Sequence, residues 1–89
     1  MRNIIPTRQF QRDYKKVIAS GRYKKEDFLD VIKMLATDEK LLPKYVDHSL
    51  TGKWKDFRDC HIKPDWVLIY KKYENNLFLA RTGSHSELF

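Results

Sequence analysis

Trp66-Val67-Leu68-Ile69-Tyr70 is the stretch on which the fold turns. β-branched and aromatic residues favour a strand, and a near-continuous apolar run suits a central strand covered on both faces. Just upstream the period is two. Arg58, Cys60 and Ile62 fall on one side, and Phe57, Asp59 and His61 on the other. Cys60 and Ile62 are the apolar pair, so their side is expected to meet the helices, leaving His61 on the opposite, open face. Pro64-Asp65 supplies the turn between the two runs. Downstream, Lys71 to Asn76 reads as a charged loop turning at Asn75-Asn76, and Leu77 to Arg81 as the last strand. Thr82-Gly83 is expected to end it and release a tail.

Upstream the period is helical. Asn3-Ile4-Ile5, closed by Pro6, predicts a brief first strand, and Thr7 can cap the helix that follows. Phe10, Tyr14, Val17 and Ile18 recur at helical spacing, with Arg8, Arg12, Lys15 and Lys16 opposite as a solvated face. Ser20-Gly21 ends this helix, Gly21 being free to take the left-handed conformation. A second helix is predicted from about Lys25 to Ala36, with Phe28, Val31, Ile32 and Leu35 inward and Glu26 and Asp27 suiting its N-terminal dipole. The short connection makes an antiparallel hairpin. Thr37 to Pro43 is a loop expected to pack Leu41-Leu42 under the sheet. The expected fold is α+β, a single domain over 1–89: an N-terminal strand and a helical hairpin on one face of a small, mainly antiparallel sheet.

Composition narrows the function. A single cysteine, Cys60, excludes an intrachain disulfide and a cysteine-rich zinc module. No apolar run reaches membrane-spanning length, and the N-terminus lacks a signal peptide's apolar core, so a cytoplasmic protein is expected. A net charge of +6 points towards polyanions or an acidic partner.

Three histidines, His48, His61 and His85, are the residues suited to RNA scission without a metal. That reaction needs a base for the 2′-hydroxyl, an acid for the 5′-oxygen and donors for the phosphate. Histidine serves the first two because its reference pKa of about 6.5 leaves both forms populated near neutrality. The three can converge only if the tail folds back over the open face. Asp65 could orient an imidazole or simply form the turn after Pro64. Arg81 could grip a phosphate or close a strand-end ion pair. Trp66 could stack on a base or belong to the core, Phe89 offers a stacking face, and Trp54 reads as structural. Other chemistries fit poorly. Gly52-Lys53 lacks phosphate-loop spacing, and Cys60 and His61 face opposite sides of a strand. The histidines show no zinc-ligand spacing, so no cofactor is expected.

Three collinear motifs carry a family resemblance: Asp47-His48-x-Leu50-x-Gly52-x-Trp54-Lys55, Arg58-Asp59-x-His61-x-x-Pro64-Asp65-Trp66-x-Leu68-Ile69-Tyr70, and Arg81-Thr82-Gly83-Ser84-His85-x-x-Leu88-Phe89. Together they resemble the YafQ branch of the RelE superfamily, ribosome-dependent mRNA-cleaving toxins of bacterial toxin–antitoxin pairs. The resemblance implies a RelE-like fold and endonucleolytic cleavage of mRNA in the ribosomal A site. It also implies a RelB/DinJ-type antitoxin, through which the pair would bind operator DNA. By the same resemblance His48 is the candidate base and His85 the candidate acid. His61 and Asp65 would orient and stabilise, with Trp66 and Phe89 also matching. Lys63 stands where some relatives have an acidic residue. Rival readings are a non-catalytic basic module binding RNA or an acidic peptide, and an inactive toxin relative acting in autoregulation.

Overall fold

The chain runs through β1 (Asn3–Pro6), α1 (Arg8–Ala19), α2 (Lys25–Ala36), β2 (His48–Ser49), β3 (Arg58–Lys63), β4 (Trp66–Tyr73), β5 (Asn76–Gly83) and α3 (His85–Leu88). Single 3-10 turns lie at Pro43–Tyr45 and Gly52–Trp54. The structure, a computed structural model, describes residues 1–89. The sheet order is β1-β5-β4-β3-β2, with β1 parallel to β5 and every other pairing antiparallel. The apolar run 66–70 is therefore central, and all five of its residues are buried. No helix is long and apolar enough to cross a membrane.

The two faces of the sheet are covered unequally. On one, Trp66, Leu68 and Tyr70 meet Cys60, Ile62, Leu77, Leu79 and the inner stripes of α1 and α2 in the main core. On the other, Val67, Ile69, Ala80 and Leu88 form a small cluster flanked by half-buried Leu50, Trp54 and Phe57. The alternation in β3 falls as the sequence predicts. Cys60 lies in the main core, where burial pushes its thiol well above the ordinary value and leaves it inert.

The helices begin and end on the expected signals. Thr7 Oγ1 accepts from the Phe10 N–H at 3.0 Å, and Gly21 takes a φ of 75° just beyond α1. β1 pairs only with Asn76–Leu79, so the edge of β5 beyond Leu79 is left to α1. Thr7 Oγ1 donates to Ala80 O at 3.0 Å, and buried Asp13 accepts from the Thr82 N–H at 3.3 Å. An apolar stripe does not reveal Asp13. It is buried because it closes a sheet edge.

Four expectations need correction. Trp66 is fully buried on the helical face, stacked on Tyr23 at 5.0 Å, with its Nε1–H donating to Thr82 Oγ1 at 2.8 Å. An indole enclosed in this way offers no face to RNA. The β4–β5 turn is Glu74-Asn75, with Tyr73 paired to Asn76, because Glu74 takes the left-handed φ of 54° that a two-residue turn requires. Leu42 stays half-exposed while Leu41 packs on the core. The C-terminus is not released. β5 runs through Gly83, and the tail folds into α3, anchored by Leu88 at 6% exposure.

Candidate active site on the open sheet face

Cross-strand register gathers the site. One row runs His48, Asp59, Ile69, Arg81 across β2 to β5, and the next runs His61, Val67, Gly83 across β3 to β5. α3 starts two residues beyond Gly83, which puts His85 at the end of the second row. Ser84 accepts from the Glu87 N–H at 3.2 Å, and Glu87 Oε1 accepts from the Ser84 N–H at 2.9 Å. This capping box fixes the turn that brings the tail histidine back over the sheet.

Each imidazole has its own restraint. His48 Nδ1 lies 3.1 Å from Val46 O, which assigns the proton to Nδ1 and leaves Nε2 to face Asp59 Oδ1 at 3.0 Å. His61 Nδ1 lies 3.1 Å from Pro64 O, so in the neutral ring its Nε2 is likewise the acceptor. His85 is exposed and packs against the Phe89 ring at 4.9 Å, Phe89 itself being half-exposed.

The residue that sequence reading left unassigned is Asp59. It is 1% exposed, and its Oδ1 lies close to His48 without a donor aligned for a hydrogen bond. Burial raises its carboxyl above the ordinary value, while His48, His61 and His85 together pull it back down. One buried carboxylate thus senses all three histidines. Its place on the His61 side of β3 was legible in the alternation; its near-complete burial there was not.

A raised carboxyl has a definite consequence for stability. Between 3.8 and its own raised value the folded state holds a proton that the unfolded state has lost, so stability falls as pH rises through that window. Asp59→Asn is expected to melt higher than wild type at neutral pH and to flatten this slope. Melts over a pH series check this, and an Asn variant that melts lower at neutral pH refutes it.

The other expected residues are placed differently. Asp65 is an exposed turn residue, and the group fixing His61 is the Pro64 carbonyl instead. Arg81 commits Nε and Nη2 to Asp13 at 2.9 and 3.1 Å, the ion-pair arrangement, with Nη1 left free of protein partners. Burial works to raise Asp13, but hydrogen bonds from Arg81, Gln9 and the Thr82 N–H outweigh it and hold the carboxyl below its ordinary value. On the open face, Trp54 and Phe57 meet edge to face at 5.4 Å. Lys53 and Lys71 lie over these two rings, a basic aromatic rim.

Residues 2–89 match the family described as bacterial toxin of type II toxin–antitoxin system, YafQ. The mRNA interferase toxin YafQ of Escherichia coli K12 is 41% identical over 99% of this chain and 96% of its own. A copper-bound mutant toxin from Helicobacter pylori superposes with a TM-score of 0.95 at 44% identity, covering both chains fully. The E. coli DinJ–YafQ complex matches at 0.84 and 37%, over 100% of this chain and 99% of that one. Imidazole and carboxylate donors suit copper. In this chain, however, no three His, Cys, Asp or Glu side chains converge as a metal cage.

Proposed function

Since this chain belongs to the YafQ family of type II toxin–antitoxin toxins, we propose that it is an endoribonuclease that cleaves mRNA on the ribosome and so arrests translation. The observation carrying this reading is the buried Asp59 carboxylate on the open face, with His48 Nε2 3.0 Å from its Oδ1 and with His61 and His85 near enough for their charge to act on it. His48 takes the 2′-hydroxyl proton on Nε2, and the imidazolium so formed lies against Asp59. The 2′-oxygen attacks phosphorus, the bond to the 5′-oxygen breaks, and His85 protonates that leaving oxygen. His61 and the free Nη1 of Arg81 stabilise charge on the phosphate, and Phe89 stacks on a base. The products are a 2′,3′-cyclic phosphate and a 5′-hydroxyl.

The partner proposed is a DinJ-type antitoxin, by likeness to the complex of the E. coli relative. An acidic segment that folds onto the basic surface fits the charge of +6. Operator DNA would be contacted through that antitoxin, and the toxin would act in the cytoplasm, where ribosomes translate.

Cleavage of mRNA on programmed ribosomes tests the reaction. A 2′-deoxy substitution at the scissile nucleotide is expected to abolish cleavage, and a chelator selective for zinc and copper to leave it unchanged. A 5′-phosphate on the product would replace 2′-hydroxyl attack with attack by water. Loss of activity with chelator, restored by copper or zinc, would replace the acid–base scheme with a metal-assisted one.

A further inference from the structure

The pair His48 and Asp59 has a counterpart in the two residues that precede them in sequence. Asp47 precedes His48 and Arg58 precedes Asp59, and neighbouring residues of extended chain point to opposite sides of a sheet. On the helical side, Arg58 holds Asp47 with two nitrogens, Nε 3.3 Å from Oδ1 and Nη2 3.1 Å from Oδ2. Tyr70 Oη donates to the same Oδ1. Tyr70 is 1% exposed in the main core and pairs directly with Arg58 across β3 and β4.

The need for such a cluster lies in β2. This strand has two residues and makes only the pairs His48 to Asp59 and Ser49 to Arg58, too few to fix a ring position by ladder bonds alone. The residue before Asp47 is held against its preference. Val46 is β-branched yet takes φ 48° and ψ 52°, and in that conformation its carbonyl meets His48 Nδ1. A two-nitrogen arginine grip fixes both distance and angle at Asp47. Burial, with the Asp47 carboxylate beside it, pushes the Tyr70 phenol far above its ordinary value, so it stays a donor to Asp47.

We propose that Asp47, Arg58 and Tyr70 form a positioning lock on the helical face that sets the orientation of the His48 imidazole against Asp59 on the open face. Its kinetic consequence rests on the proposed role of His48 as base; its structural consequence does not. The test therefore reads both. Ring ¹⁵N spectra report the tautomer and surroundings of each histidine, and single-turnover cleavage with a ribosome-binding assay reports function.

In Asp47→Ala the His48 ring signals are expected to move towards those of an unrestrained imidazole, while His61, held by Pro64 O, keeps its own. Cleavage should fall about 10²-fold in Asp47→Ala and about 10-fold in Tyr70→Phe, the scale of a displaced reacting group, with ribosome affinity unchanged. Asp47→Asn, which keeps an acceptor for Tyr70, should recover part of the loss. Tyr70→Phe keeps its ring in the core and serves if Asp47→Ala does not fold. Ile32→Val loosens the same core elsewhere and is expected to lower the melting temperature without moving the His48 signals. Unmoved His48 signals in folded Asp47→Ala and Tyr70→Phe overturn the lock. Signals that move while cleavage holds support the lock and remove His48 from the reaction.

Discussion

His85→Ala is expected to cut single-turnover cleavage on programmed ribosomes by roughly 10²–10⁴-fold, the usual worth of a positioned acid. Its melting temperature should barely change, because the ring is exposed and meets only the half-exposed Phe89. The turn that carries it is held by Ser84 and Glu87, and the anchor beneath is Leu88, so the substitution removes no structural contact of weight. Exposed substitutions of this kind stay within about 0.5 kcal/mol. His48→Ala is expected to fall into the same activity range, and the double variant to lose much less than the product of the two if they act as a unit. A His85→Ala protein that melts normally and cleaves near the wild-type rate takes His85 out of the mechanism.

Trp66→Ala is expected to have the largest effect on stability. The indole is fully enclosed between Tyr23, Phe28 and the sheet. Its Nε1–H starts a chain in which Thr82 Oγ1 donates on to Val67 O at 2.8 Å. Truncation leaves a cavity and takes from the buried Thr82 oxygen the donor it accepts from, a loss of about 3–5 kcal/mol. Native proteins hold only about 5–15 kcal/mol in total, so a large share of the stability goes. For a domain of this size the melting temperature should drop by more than about 10 °C. Activity would fall with the folded population, unlike the His85 variant, which should lose activity while folded. Chemical denaturation of both proteins separates the cases. A Trp66→Ala protein that melts like wild type and fails only in RNA binding would return the indole to the RNA face.

The contrast between these two residues shows where sequence and structure divide the account. The central strand, the inner stripes of both helices, the caps at Thr7 and Gly21 and the outward set of His61 follow from local rules: periodicity, propensity and the conformational range of single residues. The sequence also determined the family, through three collinear motifs that the match over residues 2–89 bears out. Trp66 stayed open in the sequence because an apolar run covered on both faces does not say which face is solvent. Only helices packed on one side settled it. Asp59 reads as one more polar residue on an alternating strand until the fold buries it beside His48 and within the electrostatic reach of His61 and His85. Asp13 and Arg81 find each other across most of the chain because β1 ends at Pro6, opposite Leu79, and leaves the rest of that β5 edge to α1. Short-range order was legible because it depends on neighbours in sequence. The site itself was decided by tertiary structure, because its charges, its buried carboxylate and its folded-back tail depend on neighbours in space.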